Sequence, residues 1–193
     1  MCVLWFVKTM KLKDIFVLIF VLAVAGISLW LSSSPFGLKQ APEVTFSTLD
    51  GEKINMRELR GRPVLVTFWA TTCQSCLKEM PHLVELYKEF ENDGFELIGV
   101  AMSYDPPNRV LELATERRLP YPVALDLDGA LAAAFGKVTL TPTSFLVAPD
   151  GRIIRHEIGE MDVARLRRQI ETLLPTPTHV KKDRFTFPEV TTS

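Results

Sequence analysis

Residues 64–81 read Val64-Leu-Val-Thr-Phe-Trp-Ala-Thr-Thr-Cys73-Gln-Ser-Cys76-Leu-Lys-Glu79-Met-Pro81: an apolar run, a small polar corner, two cysteines with two residues between them, then a helical pattern. This predicts a buried strand, a turn and a helix, with Cys73 at the turn. Unpartnered backbone N–H groups and the positive end of the helix dipole gather at such a corner and favour negative charge there. The thiolate is the reactive form of cysteine, and helix N-termini and Cys-X-X-Cys pairs lower its pKa to about 3.5–7.5. The stretch therefore predicts a nucleophilic sulfur at a surface corner, with a second sulfur in reach to resolve a mixed disulfide.

Downstream, Met80, Leu83, Val84, Tyr87 and Phe90 recur at helical spacing up to Asn92-Asp93-Gly94, with Pro81 expected to bend the axis. Residues 95–102 predict a second buried strand, 110–118 an amphipathic helix, 121–125 an edge-like segment and 130–135 a small helix closed by Gly136. Residues 139–147 and 152–158 flank Pro149-Asp-Gly151 as strand, tight turn and partner strand, and 163–174 close the domain as a helix with Leu166, Ile170 and Leu173 on its apolar side.

Upstream, Pro63 places the start of the central strand at Val64. Asn55 precedes a single expected helical turn at 56–59, and Asp50-Gly51 between short alternating runs signals a hairpin. Residues 15–31 carry no charge and follow Lys8, Lys11 and Lys13. Such a run approaches the ~20-residue length a bilayer core requires, and the lysines mark its N-terminal side as cytoplasmic. The expected organisation is a cytoplasmic N-terminus (1–14), a signal-anchor (15–34), a linker (35–41), a globular domain (42–174) and an extended or disordered tail (175–193). A cleaved secretory signal competes with an uncleaved anchor, but Pro35 directly after Ser34 favours the anchor. Met10 before Lys-Leu-Lys is an alternative start, in which case Cys2 is not part of the protein.

With 193 residues, 47% of them hydrophobic, the chain suffices for one ordinary core plus this extra segment. A formal net charge of −1, without a block of one sign, excludes nucleic acid as a partner on electrostatic grounds. Only three cysteines are present, and Cys2 has no neighbour in sequence, so the chain is not a disulfide-stapled scaffold. Half of a zinc site also looks like Cys-X-X-Cys, but His82, His156 and His179 have no finger-like spacing and there is no second cysteine pair. A strand end is also where the active sites of open α/β sheets gather, so a redox role is the preferred reading. The succession of elements predicts an α/β fold, a mixed sheet between layers of helices.

Phe68-Trp69-Ala70-Thr-Thr-Cys73-Gln-Ser-Cys76, together with Thr141-Pro142-Thr-Ser-Phe145, resembles the thioredoxin fold over residues 41–174. The apolar N-terminal segment, Leu59-Arg-Gly61-Arg-Pro63-Val and Cys76-Leu-Lys-Glu79-Met-Pro81 narrow the resemblance to the TlpA/ResA-type membrane-anchored thiol-disulfide oxidoreductases. The resemblance implies a three-layer α/β/α sandwich in which Cys73 attacks, Cys76 resolves and Pro142 is cis, leaving the backbone of Thr141 for a bound substrate strand. It also implies that Glu79 stands near the disulfide. Glu79 lies one helical turn after Cys76, and burial would suit it to acid/base work. The buried aspartate of cytosolic thioredoxins is Thr67 here. Trp69 has two readings, packing near the disulfide or contact with substrate. Gln74-Ser75 lacks the histidine of oxidising relatives, so no added group stabilises the Cys73 thiolate and a reducing potential is expected.

The resemblance further implies a bacterial inner-membrane protein with its domain in the periplasm. It would reduce client disulfides, apocytochrome c or copper-site cysteines among them, be recharged by a DsbD/CcdA-type donor, and need no cofactor or metal. A monomer is the default. Two other classes remain: a copper-handling module resembling SCO proteins, whose cysteines are spaced further apart, and a peroxiredoxin-like peroxide reductase.

Overall fold

The computed structural model describes residues 19–24 and 40–174, and the chain divides into two compact units, Met1–Leu38 and Lys39–Ser193. Of the expected membrane segment only residues 19–24 are described, and they are helical. The rest of that segment, the 1–14 region, most of the linker and the 175–193 tail lie outside the described residues. Among the described residues no helix is long and apolar enough to cross a membrane.

The second unit contains β1 (Thr45–Ser47), β2 (Lys53–Asn55), β3 (Val64–Trp69), α1 (Gln74–Phe90), a 3-10 turn (Glu91–Asp93), β4 (Glu96–Ala101), α2 (Pro107–Glu116), β5 (Val123–Leu125), α3 (Ala130–Ala134), β6 (Thr143–Val147), β7 (Ile153–Ile158) and α4 (Val163–Leu173). The first two strands pair as the expected hairpin. The other five form one mixed sheet in the order β5-β4-β3-β6-β7, with β3, β4 and β5 parallel and β6 and β7 antiparallel to their neighbours. All six residues of β3 are buried, because a central strand covered on both faces reads as a continuous apolar run.

Alternation along the strands sorts these residues into two cores. Leu65, Trp69, Leu97 and Leu146 pack on one face with Cys76, Met80, Leu83 and Leu86 of α1, Val110 of α2, and Leu166 and Ile170 of α4. Val64, Val66, Phe68, Ile98, Val100 and Phe145 face the other side, covered by Phe46, Met56, Leu59 and the α3 segment with Leu131 and Phe135. The thioredoxin-like α/β architecture is thus present in the domain.

Four boundaries differ from expectation for local reasons. Residues 56–59 make i→i+3 turns, Glu58 N–H to Asn55 O and Arg60 N–H to Arg57 O, because Gly61 in a left-handed conformation (φ 89°) and Pro63 stop the helix before it can propagate. The α2 helix begins three residues earlier than predicted, at Pro107, where proline's fixed φ is preorganised for a first helical position. The β6 strand begins at Thr143, after Pro142, which has no N–H to give the ladder. At the front, Gln40 already bridges Arg152 and Ala41 N–H donates to Gly151 O at 2.9 Å, so the last two linker residues belong to the domain.

Gly99 of β4 allows a close approach behind the disulfide helix. A Cβ there would lie 3.1 Å from Trp69 Nε1 and 3.3 Å from Tyr121 Cε2, both buried. Gly99→Ala is therefore expected to destabilise the domain by about 1–3 kcal/mol, the usual range for overpacking, seen as a lower midpoint in urea with an unchanged slope.

Candidate active site

The corner after β3 is built by a chain of backbone bonds. Met102 N–H donates to Trp69 O and Cys73 N–H to Ala70 O, each at 3.0 Å, which holds the end of β4 beside the 70–73 turn. Cys73 is the N-cap of α1, with extended dihedrals (φ −86°, ψ 103°), and its sulfur accepts from Cys76 N–H at 3.2 Å. The first turn of α1 carries no acidic side chain, so the positive helix end is left to the sulfur.

Cys73 and Cys76 form a disulfide, with S–S 2.10 Å and Cα–Cα 5.3 Å. The two sulfurs differ in access. Cys76 is 3% exposed inside the first core, whereas Cys73 is only partly buried. An outer sulfur open to attack on a partner and an inner one shielded from solvent is the asymmetry that a sequential exchange requires.

Ser75 qualifies the sequence reading that nothing additional supports a Cys73 thiolate. Its hydroxyl lies 3.4 Å from Cys73 Sγ and is able to donate to an anionic sulfur. A serine two residues past the N-cap of a helix was the available signal for this contact.

Glu79 is 5% exposed, on the same face of α1 as Cys76 and one turn on. Burial pushes its carboxyl above the usual range, and Met161 N–H, donating to Oε1 at 2.7 Å, pulls it partly back. The nearby charges of Glu160 and Glu157 add to the upward shift and His82 opposes it. The result is a carboxyl biased toward its protonated form beside the inner cysteine. Tyr121, 5% exposed, is raised by burial and then by the charge of Glu79.

Thr67 occupies the place where cytosolic thioredoxins carry the buried aspartate. Its hydroxyl accepts from Ser144 Oγ at 2.9 Å across the β3–β6 pair, so an uncharged bond stands there. Trp69 is 3% exposed and packed in the core, and its Nε1 has no hydrogen-bond partner among the described residues. Of its two readings the packing one describes it, and it offers substrate no surface in this conformation.

The Thr141–Pro142 peptide is cis. Phe68 pairs with Thr143, which places this peptide at the same end of the sheet as the disulfide corner. Pro142 O accepts from Gly159 N–H at 2.8 Å, while Thr141 makes no backbone bond among the described residues. Sequence reasoning missed Asp105, a 5% exposed carboxylate that accepts from Thr71 N–H at 2.5 Å and from Thr71 Oγ1 at 2.6 Å. The signal was its position just past a strand that the crossover pattern places beside β3, where sites of parallel sheets gather.

Comparison with known proteins agrees with this geometry. Residues 38–174 match the Redoxin family. The thiol-disulfide oxidoreductase ResA of Bacillus thuringiensis subsp. konkukian is 34% identical over 138 residues, covering 71% of this chain and 78% of the relative. ResA of Bacillus subtilis is 28% identical, covering 72% of this chain and 76% of its own. Among solved structures, a putative thioredoxin from Neisseria meningitidis is similar with a TM-score of 0.65 at 32% identity, covering 69% of this chain and 88% of that one. StoA from Bacillus subtilis matches at a TM-score of 0.58 and 26% identity, covering 66% of this chain and 97% of that one. An N-capping cysteine bonded to a shielded partner, on a sheet of this topology and in a chain with these relatives, settles the classification: the chain belongs to the Redoxin family and is a thiol-disulfide oxidoreductase of the ResA type.

Proposed function

We propose that this protein is a membrane-anchored reductase of client protein disulfides, its domain on the outer, periplasmic side of the bacterial inner membrane. The observation that carries the reading is the presence, at one end of the sheet, of a partly exposed Cys73 and of a Thr141 backbone that makes no bond among the described residues. An extended client segment would hydrogen-bond to Thr141, as strands add to free backbone elsewhere, with its disulfide presented to Cys73. Tyr104, Leu127, Leu140 and Ile158 are each more than half exposed and lie at or next to the strand ends of this pole, Ile158 being the last residue of β7. They give a client an apolar rim to rest on.

Reduced Cys73 attacks a client sulfur, the second client sulfur leaves as a thiol, and Cys76 then displaces the client and closes the Cys73–Cys76 disulfide. A membrane donor of the DsbD/CcdA type, suggested by the resemblance, would restore the dithiol. Apocytochrome c and copper-site cysteines are the proposed clients. The test is the equilibrium of the purified protein with glutathione and with dithiothreitol. A potential nearer thioredoxin's ~−270 mV than the ~−120 mV of a strong oxidant is expected, and a value near the latter would make the protein an oxidant instead.

A further inference from the structure

Asp105 lies outside the cysteine pair and the acid on α1, and it is an unusual group. It is almost fully buried, both of its oxygens are used by a single residue, Thr71, and it has no cationic partner among the described residues. Thr71 is the second residue of the 70–73 turn, which the Cys73 N–H closes onto Ala70 O. Asp105 is itself fixed from behind, its N–H donating to Met102 O at 2.9 Å, and the α2 helix begins two residues later. The carboxylate is therefore held rigidly against the turn that presents the attacking sulfur, and among the described residues its hydrogen-bond partners are two neutral donors.

We propose that Asp105 is a positioning residue of the disulfide-exchange reaction: it clamps the 70–73 turn and sets a fixed negative charge against the Cys73 thiolate, making the reduced pair a stronger electron donor. The inference rests on the reading of Cys73 as the attacking sulfur. A like charge nearby disfavours the ionised thiol. A destabilised thiolate destabilises the reduced protein, the reverse of the stabilisation that makes some relatives strong oxidants. The helix end, Cys76 N–H and the Ser75 hydroxyl push the other way. Asp105 thus counters an otherwise thiolate-favouring corner.

Other titratable groups of the elements at this end of the sheet are Lys78, Glu79 and His82 on α1, Glu157 and Glu160 at the end of β7 and just beyond it, Tyr104 beside Asp105, Tyr121, and Asp126 and Asp128 after β5, where Asp126 N–H donates to Ala101 O. The Leu140–Thr143 loop contributes none. Asp105, unlike these, is bonded to the turn itself, so its removal is separable from theirs.

Asp105→Asn tests the proposal in the full-length protein. The amide keeps an oxygen for Thr71 N–H and gains a donor for Thr71 Oγ1, so the clamp survives while the charge is lost. Alkylation of reduced protein by iodoacetamide as a function of pH reads the ionisation of Cys73. Exchange with dithiothreitol reads the equilibrium: the protein S–S bond breaks, the cyclic S–S bond of the reagent forms, and two electrons pass, with two protons less any that Cys73 releases on ionising. The expected result is an alkylation midpoint at lower pH and, above that midpoint, an equilibrium shifted about threefold or more toward the protein dithiol. Thr71→Val is the companion. It keeps the carboxylate and its charge while removing one of the two bonds of the clamp, so the midpoint stays closer to the wild-type value than in Asp105→Asn, and a shift as large as that of Asp105→Asn would assign the effect to the clamp and overturn the role of the charge.

A folded Asp105→Asn variant whose midpoint stays at the wild-type value or rises overturns the proposal. Should that variant not fold, Asp105→Ser, which also removes the charge and keeps a polar group facing Thr71, takes its place, and an unmoved or raised midpoint in it overturns the proposal equally. A wild-type Cys73 that neither alkylates nor exchanges with dithiothreitol is a different failure, which removes the redox reading of the pair itself.

Discussion

With Cys76 replaced by Ser, the protein is expected to stop after one encounter per molecule, joined to its client through Cys73 in a mixed disulfide. The reason is positional. Cys76 is buried at the first turn of α1 with its N–H on Cys73 Sγ, so in the wild type the releasing sulfur is already beside the bond it must cut. Water does not substitute for it, and a serine hydroxyl at the same place is not a comparable nucleophile toward sulfur. Turnover with a model disulfide protein should fall to a single stoichiometric event, and non-reducing electrophoresis should show an adduct that dithiothreitol dissolves. Cys73→Ser should give neither adduct nor turnover. An adduct formed through Cys76 in the Cys73→Ser variant would reverse the assignment of attacker and resolver.

Glu79→Gln is expected to slow the releasing step by about 10²-fold at neutral pH, the low end of what a positioned acid/base group contributes. The inner thiol must lose its proton to attack, and Glu79 is the buried carboxyl one turn away on the same helix face. Rapid mixing of preformed mixed disulfide isolates that step, and a pH–rate profile identical to wild type would remove the assignment.

The same substitution has an opposite effect on stability. A carboxyl raised by burial is better tolerated protonated in the folded state. Its contribution is complete below the ordinary carboxylate value of 4.5 and is lost as pH rises through the folded value. Gln imitates the protonated form and still accepts from Met161 N–H. The variant should therefore melt higher than wild type at pH 8, with the difference closing toward pH 4.

Much of this site is legible in the chain because its parts are adjacent. The β3 run, the cysteine pair and Glu79 fall within 16 residues, so one strand-turn-helix reading places them all. Thr141-Pro142 is distant but carries its own signal in a proline ahead of an apolar strand. What stayed hidden are bonds that depend on how elements come together. Asp105 reaches Thr71 across 34 residues and Met161 N–H reaches Glu79 across 82, and neither partner bears a mark that local periodicity detects. Trp69 is the converse case. Its position beside the motif suggested two roles, and only the packing over Gly99 distinguishes them.

The Thr67–Ser144 hydroxyl bond has a consequence for how the enzyme answers to acidity. Where two carboxyls flank a resolving thiol, their ionisations entangle and a kinetic curve shows composite inflections belonging to neither. Here the sheet contributes a bond that carries no charge at any ordinary pH, so the central strand adds no ionisation of its own to those of the acids around the pair. Thr67→Asp, which puts a carboxyl on that strand, should accordingly add an inflection to the release kinetics that the wild-type protein does not show.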